Sequence, residues 1–275
     1  MSQVLPYDSE EEKAAKAFDK QSGLFDELFS GNPIIQYKRQ RVRAHVNSII
    51  HPSSQILELN SGTGDDAIYF ASLGHTLNTT DISPGMQKIR VQKILASGME
   101  RMITNECCSF TKLDELRHRG PYDHIFSNFG GLNCTNDLAK VLDSFFGLLR
   151  PGGGVTLVIM PRFSIWEVAL ILKGKRKTAF RRFSGKKGTT ARIEGELFTC
   201  WYYNPSFIIR HFQEKFELIR LESVCLFVPP SYMDYFPKKY PRLYSVLIKF
   251  ENVLSSSWPW NRMGDYFIIS LRKRD

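Results

Sequence analysis

The feature that most constrains this chain is a buried strand that ends in a glycine-rich turn. The strand with the apolar residues Ile56, Leu57 and Leu59 leads into Asn-Ser-Gly-Thr-Gly, and an apolar-periodic helix is predicted directly after it. Open α/β sheets build a nucleotide site in this way, at the carboxyl end of the first strand. Gly64 would let the backbone approach a ligand closely, and Asp81 would end the second strand, where a carboxylate can accept hydrogen bonds from ribose hydroxyls. The sequence therefore predicts a nucleotide-type site at the carboxyl edge of a parallel sheet.

The same turn also fits a dinucleotide fingerprint, because Gly62, Gly64 and Ala67 have the required spacing. A dinucleotide, however, places its pyrophosphate at the helix N-terminus, where Asp65 and Asp66 would repel it. A cofactor that carries adenosine and a positive centre but no phosphate suits these carboxylates better. S-adenosylmethionine, with its sulfonium and ammonium groups, fits that description.

Four signals in order indicate a family. They are the turn at 57–64, Asp-Ile-Ser-Pro-Gly-Met at 81–86, Phe-Ser-Asn-Phe-Gly-Gly-Leu-Asn at 126–133, and Leu-Arg-Pro-Gly-Gly at 149–153. Together they resemble the class I S-adenosylmethionine-dependent methyltransferases, over roughly residues 30–160. The ordered set is far more specific than any one of its members.

The resemblance implies an α/β fold with a Rossmann-like, doubly wound, seven-stranded sheet. Its last strand is expected to run antiparallel, inserted between the fifth and sixth strands. The whole chain, 1–275, is expected to form a single methyltransferase domain. It would carry an N-terminal helical lid at 1–50 and cap insertions at about 161–204 and 229–262.

The resemblance also implies a cofactor site for S-adenosylmethionine, with S-adenosylhomocysteine as product. The expected residues are Tyr37, Arg41, Glu58, Asn60, Gly62, Gly64, Asp81, Ile82, Met86, Ser109, Phe110, Asn128 and Phe129. Asn60 stands where the family usually has its first glycine, and asparagine tolerates the positive φ of such a turn. Tyr37 and Arg41 share a helix face and could meet the methionine carboxylate. A solvated basic face explains these two residues slightly better.

The loop after the third strand lacks the acid that often binds the adenine amino group in this family. Ser109 or the backbone could take that role. Alternatively, apolar packing from Ile82 and Phe110 could hold the adenine. These alternatives stay open on the sequence alone.

The formal net charge of +9 is concentrated in one segment. Nine basic residues lie between positions 173 and 192, and no acid lies between Glu167 and Glu194. A local basic insert on a balanced chain favours one anionic contact surface over general polyanion binding. The five cysteines form no CxxC pair, no apolar run is long enough to span a membrane, and the N-terminus is polar and acidic. We therefore expect a cytoplasmic protein without a signal peptide.

The insertion 161–204 is expected to form an apolar helix, the basic segment and a strand at 198–203. A lid that only packs on the sheet is favoured equally with a substrate cap whose arginines meet an anionic group. Peripheral contact with anionic lipid is a third alternative. The suggested substrate-binding residues are Asn133, Trp166, Arg181, Arg182, Tyr202 and Tyr203.

Methyl transfer from a sulfonium requires alignment and the exclusion of water rather than a fixed catalytic set. A general base is needed only if the acceptor must lose a proton. His211, Tyr202 and Tyr203 are candidates, and the sequence selects none of them. No two of the six histidines have metal-ligand spacing, so no metal is predicted.

The leading hypothesis is methyl transfer to a small acceptor that is partly apolar and that could also carry an anionic group. An RNA or protein methyltransferase is the nearest alternative, although no RNA-binding appendage is recognisable. A nicotinamide-dependent oxidoreductase and a non-catalytic cofactor-binding module are further alternatives. The sequence does not reveal the acceptor, the atom methylated or the oligomeric state.

Overall fold

The computed structural model describes residues 9–174 and 176–274. The helices are α1 (Glu10–Ser30), α2 (Pro33–Asn47), α3 (Asp65–Ser72), α4 (Pro84–Ser97), α5 (Leu138–Leu148), α6 (Ile165–Ala169), α7 (Arg176–Ala179), α8 (Pro205–Phe212), α9 (Phe236–Lys239) and α10 (Pro241–Leu254). The strands are β1 (Gln55–Leu59), β2 (Thr76–Asp81), β3 (Ile103–Cys107), β4 (Tyr122–Ser127), β5 (Leu149–Ile159), β6 (Thr189–Ile193), β7 (Glu196–Cys200), β8 (Phe216–Val224) and β9 (Tyr266–Lys273).

Seven strands form one sheet in the order β3-β2-β1-β4-β5-β9-β8. The first five are parallel, and β9 lies antiparallel between β5 and β8. The strand order reverses between β1 and β4, which is the switch point where open α/β sheets bind ligands. This topology confirms the predicted fold class, including the insertion of the last strand.

Local sequence signals set the ends of the helices near that switch point. Ser83 caps α4 by accepting a hydrogen bond from the Met86 N–H at 3.2 Å, and Pro84 occupies the first turn, as predicted. Asn32 caps α2 in the same way through its side-chain oxygen. Because these caps fix where α2 and α4 begin, they also fix which side chains face the carboxyl edge of the sheet.

The core consists of two layers, one on each face of the sheet. Leu57 and Leu59 point into the layer made with α5 and α8, whereas Ile56 points into the layer made with α2, α3 and α10. This alternation is the period-2 pattern of a strand that is buried on both faces. The central strands are therefore rigidly held, and the loops at their carboxyl ends are positioned by that core.

The cap region differs from the sequence prediction in two respects. The apolar helix expected around 163–172 is α6, which ends at Ala169 and continues as a 3₁₀ turn over Leu170–Lys173. The basic segment contributes a strand, β6, which pairs antiparallel with β7 as a separate hairpin. None of its five side chains is fully buried, so the strand lacks the buried apolar face by which a sequence pattern indicates a strand.

The helix α1 packs against β7 and α4, so that it crosses over the carboxyl edge of the sheet. Residues 1–8 of the predicted lid lie outside the described residues, as does position 175 of the basic insert. Across the part of the chain that the structure describes, no helix has both the length and the apolar character required to cross a bilayer.

Candidate functional site

The turn after β1 has the left-handed backbone that the sequence predicts. Asn60 has a φ of 45°, Gly62 of 53° and Gly64 of 83°. The Asn60 side chain donates to the Asn128 carbonyl at 3.2 Å and accepts from the Ser127 hydroxyl at 2.7 Å. Asparagine therefore replaces the expected glycine without loss of the turn, and it ties this turn to the loop after β4.

Asp81 lies at the end of β2 and faces the glycine turn. Its two carboxylate oxygens accept hydrogen bonds from the Gly62 N–H at 2.8 Å and the Ser83 N–H at 2.9 Å. Each carboxylate oxygen has two lone pairs, so acceptor capacity remains on both. Asp81 can thus hold the turn and still accept from the hydroxyl groups of a ligand.

Arg90, a fully buried residue of α4, holds the turn through hydrogen bonds. It donates to the Ser61 hydroxyl at 2.6 Å and to the Gly62 carbonyl at 3.0 Å. A Cβ atom on Gly64 would lie 2.7 Å from the Arg90 side chain, so only glycine fits there. The predicted role of Gly64 at a ligand is replaced by a role in packing, because Gly64 faces Arg90 and does not line the cavity.

A cavity lies between this turn, the loop after β4 and α1. It contains about 940 Å³ of empty space, part of it open to solvent. Most of the predicted cofactor residues line it, namely Glu58, Asn60, Gly62, Asp81, Ile82, Met86, Phe110, Asn128 and Phe129. The sequence motifs, which are widely separated in the chain, thus converge on one cavity.

One end of the cavity carries a cluster of opposite charges. Arg39 Nη1 lies 2.8 Å from Asp65 Oδ2, and Arg43 Nε lies 2.7 Å from Asp66 Oδ1. The Asn128 amide also donates to Asp66, at 2.7 Å. The charges of the two aspartates are therefore compensated, and they would repel a pyrophosphate less than the sequence alone indicates. Both aspartates still occupy the N-terminus of α3.

Two polar atoms in this cluster lack a hydrogen-bond partner among the described residues. They are Glu58 Oε2 and Arg39 Nε, and both side chains line the cavity. Burial and the nearby Asp66 carboxylate raise the pKa of Glu58 well above its ordinary value. Buried polar groups without partners are rare, which indicates that a ligand completes this end of the site.

The helix α1 contacts the loops after β1, β2 and β3 through carboxylates on one face. Glu11 accepts from Thr111 Oγ1 at 2.9 Å, Asp19 accepts from Ser83 Oγ at 3.2 Å, and Asp26 accepts from Thr63 Oγ1 at 2.6 Å. Spacings of eight and seven residues place these acids on the same side of a helix. The helix α1 therefore covers one side of the cavity, and its Ala14, Ala15, Phe18 and Phe25 line it.

The structure corrects the prediction for Tyr37 and Arg41. Arg41 Nη2 lies 2.8 Å from Glu222 and 3.0 Å from the Ser255 hydroxyl, away from the cavity. Tyr37 packs beside Tyr244 in the core layer behind the sheet. The opposite face of α2 meets the cavity instead, and it presents Arg39.

Ser109 does not line the cavity; its hydroxyl donates to Glu11, which does. Burial raises the pKa of Glu11, although Ser109 and Thr111 donate to its carboxylate. Sequence analysis missed Glu11, because it lies in α1, far from every motif. The loop after β3 therefore acquires a carboxylate that the local sequence lacks.

The predicted substrate residues lie together at the cap but outside the cavity. Arg182 is buried and donates to Asp265 Oδ1 at 2.6 Å, while Arg181 Nε donates to Glu167 at 2.9 Å. Both guanidinium groups are therefore neutralised within the fold, and their predicted contact with an anionic acceptor is not supported. Burial opposes ionisation of Asp265, but Lys38 and Arg182 outweigh it and lower its pKa to about 2.

The other cap residues have structural roles. Asn133 is buried, donates to the Met160 carbonyl at 3.2 Å and accepts from the Met160 N–H at 2.9 Å. The Tyr203 hydroxyl donates to Thr135, and Tyr202 lies beside Arg182. Trp166, on α6, leaves its indole N–H without a partner among the described residues. These residues shape the wall behind the loop after β4.

No candidate base reaches the cavity among the histidines. His211 pairs with Asp143 on the outside of α8, at 2.9 Å. His124 is buried in β4, where burial lowers its pKa to about 3. Among residues 9–174 and 176–274, no group of His, Cys, Asp and Glu side chains could hold a metal ion.

Comparison with known proteins places these features in a family context. A family model described as a methyltransferase domain matches residues 56–153, the segment that carries the glycine turn, Asp81 and the loop after β4. The chain is 29% identical over 158 residues to the ubiquinone/menaquinone biosynthesis C-methyltransferase UbiE of Proteus mirabilis. That alignment covers 55% of this chain and 60% of the relative.

Two solved structures resemble the whole chain. The [4+2]-cyclase SpnF has a TM-score of 0.63 at 14% identity and covers 98% of both chains. The 1,6-didemethyltoxoflavin-N1-methyltransferase of Burkholderia thailandensis, solved with bound 1,6-didemethyltoxoflavin and S-adenosylhomocysteine, has a TM-score of 0.57 at 15% identity. It covers 100% of this chain and 93% of that one. At these identities the likeness shows the fold alone.

Proposed function

Because the chain belongs to the class I S-adenosylmethionine-dependent methyltransferase family, we propose that it transfers a methyl group from S-adenosylmethionine to a small, partly apolar acceptor. The match to a methyltransferase-domain model and the likeness to methyltransferases confirm the family, the enzyme class and the cofactor that the sequence predicts. The chain spans only 60% of the length of the relative UbiE, so the reaction itself is proposed from the site.

The observation that carries the proposal is the unpartnered Glu58 oxygen beside Arg39 at one end of the cavity. An amino acid moiety offers an ammonium group and a carboxylate, which match these two side chains. We assign Glu58 to the ammonium group and Arg39 to the carboxylate. A nicotinamide dinucleotide would bring a pyrophosphate to this end and would leave Glu58 without a partner.

The other end of the cavity suits an adenosine. Asp81 would accept from the ribose hydroxyls, and Ile82 and Phe110 would pack on the base. Glu11 lies at this end, against Ser109 and Thr111. We propose that Glu11 accepts from the adenine amino group, in the role that the sequence analysis left open between Ser109, the backbone and apolar packing.

S-adenosylmethionine supplies an activated methyl group, so the protein mainly has to align the acceptor and exclude water. The loop after β4, where Phe129 has a φ of 48° and Gly130 of 71°, brings the backbone close to the cavity. Phe18 and Phe25 of α1 cover the opposite side. These rings favour an acceptor with apolar surface, whereas the paired Arg181 and Arg182 give no support to an anionic one.

Titration calorimetry with S-adenosylhomocysteine, NAD⁺ and NADP⁺ tests the cofactor. We expect binding of the first ligand only, and its loss in Glu58→Ala. Tight binding of a nicotinamide cofactor without binding of S-adenosylhomocysteine would reject the proposal. The adenine assignment is tested by Glu11→Gln. The control is Glu12→Gln, the same change at the neighbouring residue of the helix. We expect Glu11→Gln alone to weaken the binding.

The transfer itself requires a separate measurement, since the [4+2]-cyclase SpnF shares the fold. Labelled S-adenosylmethionine should be incubated with the protein and a panel of small aromatic alcohols, amines and carbon acids, with RNA and with peptides. We expect label in a small-molecule product. Label found only in RNA or peptide would favour the macromolecular alternative, and cofactor binding without any transfer would favour a non-catalytic module.

A further inference from the structure

The helix α10 carries an apolar stripe on its solvent side. Leu243, Val246, Phe250 and Val253 recur at spacings of three and four residues, so they lie on one helical face. Between 43% and 71% of each residue's surface is exposed. A helix that packs on a core normally turns its apolar stripe inward, and this stripe faces the opposite way.

The orientation of α10 is fixed by contacts on its other face. Glu251 is fully buried and accepts hydrogen bonds from four consecutive backbone N–H groups at 225–228, over 2.7–3.1 Å. Tyr244 and Ile248 pack against the core layer formed with α2 and α3. Since these anchors hold one face on the protein, the stripe is held in solvent.

Exposed aromatic rings extend the stripe at both ends of the helix. Tyr235 and Tyr240 precede α10 and are 52% and 43% exposed, and Trp258, after the helix, is 77% exposed. Tyrosine and tryptophan are enriched where a protein meets the boundary between lipid headgroups and acyl chains. We call Tyr235, Tyr240, Trp258 and the α10 stripe the aromatic face.

Cations border the aromatic face. Lys238, Lys239, Arg242 and Lys249 are exposed, and none forms an ion pair within the described ranges 9–174 and 176–274. Arg242 and Lys249 are seven residues apart on α10 and lie beside the stripe. The segment 229–262 contains only two acids, and one of them, Glu251, is buried. This surface is therefore complementary to an apolar partner that carries negative charge.

We propose that the aromatic face docks on a bilayer surface that contains anionic lipid. Apolar side chains enter the boundary between headgroups and acyl chains, and the bordering cations meet the lipid phosphates. This is a different segment from the basic insert for which sequence analysis left lipid contact open. The proposal does not depend on the methyl acceptor.

A second copy of the chain suits this surface less well. A twofold interface would bring the four unpaired cations of one copy close to those of the other, with no exposed acid in the segment except Asp234 to compensate. Like charges at an interface oppose association. An anionic bilayer removes this repulsion and supplies the opposite charge.

The segment that carries the aromatic face contacts the 161–204 insertion through a chain of polar side chains. Ser231, at the start of the segment, accepts from Lys38 at 3.5 Å, and Lys38 lies 2.9 Å from Asp265, which also binds Arg182. A bilayer on the aromatic face would therefore lie on the side of the molecule where β9 and the cap meet. An amphipathic compound dissolved in the bilayer would be close to the protein on that side.

Vesicle flotation of the full chain tests the proposal, with phosphatidylcholine vesicles and with vesicles that also contain phosphatidylglycerol. We expect binding to the anionic vesicles only, weakened by salt. The variant Phe250→Glu with Val253→Glu should abolish it. The control Leu73→Glu with Leu95→Glu adds the same charge at two exposed leucines, one directly after α3 and one on α4, and should bind as the unmodified chain does.

The electrostatic part is tested by Lys238→Gln with Lys239→Gln. One cation at a bilayer surface contributes about fivefold in affinity, so the pair should weaken binding roughly thirtyfold. Lys88→Gln with Arg101→Gln, which removes two exposed cations elsewhere, should change it little. Equal binding to both vesicle types, or unchanged flotation of the Phe250 and Val253 variant, would overturn the proposal. A dimer in sedimentation velocity that this variant converts to monomers would overturn it in favour of self-association.

Discussion

The two arginines of α2 provide the sharpest test of the site. Arg39 lines the cavity, pairs with Asp65 at 2.8 Å and lies 5.2 Å from the centre of the Phe129 ring. Arg41, two residues along the helix, pairs with Glu222 on the other side. Arg39→Gln should therefore weaken the binding of S-adenosylhomocysteine, and Arg41→Gln should not.

The expected size follows from the contacts of Arg39. A charge-assisted hydrogen bond to a ligand carboxylate contributes about 1.5–3 kcal/mol, so Arg39→Gln should raise Kd roughly 10- to 150-fold. Arg43 and Lys93 remain beside Asp65 and Asp66, so the loss of Arg39 does not leave those acids without cations. Arg41→Gln removes contacts to Glu222, Asn252 and Ser255 and should lower the melting temperature without a change in Kd.

Calorimetric titration gives Kd, and thermal melts without ligand give the stability of each variant. The two readouts should separate, with Arg39→Gln changing mainly Kd and Arg41→Gln changing mainly the melting temperature. If Arg41→Gln weakened S-adenosylhomocysteine binding more than Arg39→Gln, the assignment of the α2 faces would be refuted. The proposed position of the methionine end would be refuted with it.

Three further predictions rest on buried carboxylates. Burial and Asp66 raise the pKa of Glu58, whereas a ligand ammonium group favours the ionised form of this carboxyl group. Binding of S-adenosylhomocysteine should therefore release a proton, which calorimetric titrations in buffers of different ionisation enthalpy detect. Glu58→Gln should abolish this proton release. Because the pKa of Asp265 is lowered to about 2, its contribution to stability is present above about pH 4 and is lost as the pH falls through 2. In Asp265→Asn, the free energy of unfolding measured with urea should therefore fall less steeply between pH 4 and pH 2. Glu251→Gln breaks a buried set of four acceptor contacts and should cost about 3 kcal/mol in the free energy of unfolding, measured by urea titration.

The parts of the structure that were predictable from sequence depend on local chemistry. The positive φ of Asn60, the Ser83 cap with Pro84, and the strand that ends at Asp81 each follow from the residues at that place. Their order along the chain then selects one topology, because short parallel-strand connections allow few alternatives. The fold, and most of the residues that line the cavity, could therefore be predicted without coordinates.

The parts that were missed depend on contacts between distant segments. Glu11 meets Thr111 across 100 positions of the chain, and no pattern within α1 announces that contact. On α2, periodicity places Tyr37 and Arg41 on one helix face. It does not say which face meets the cavity, because this depends on how α2 packs on the sheet.

The basic insert shows why charge must be located in three dimensions before it is assigned a partner. Its Arg181 and Arg182 are neutralised by Glu167 and Asp265, neither of which lies within the run of basic residues. The unpaired cations beside α10, around Lys238, belong to a segment with no unusual charge density in sequence. A pair of arginines with internal partners holds the cap on the sheet, whereas cations that border exposed rings can attract an external partner. The length of a basic run therefore does not show which of its cations are available to an external partner.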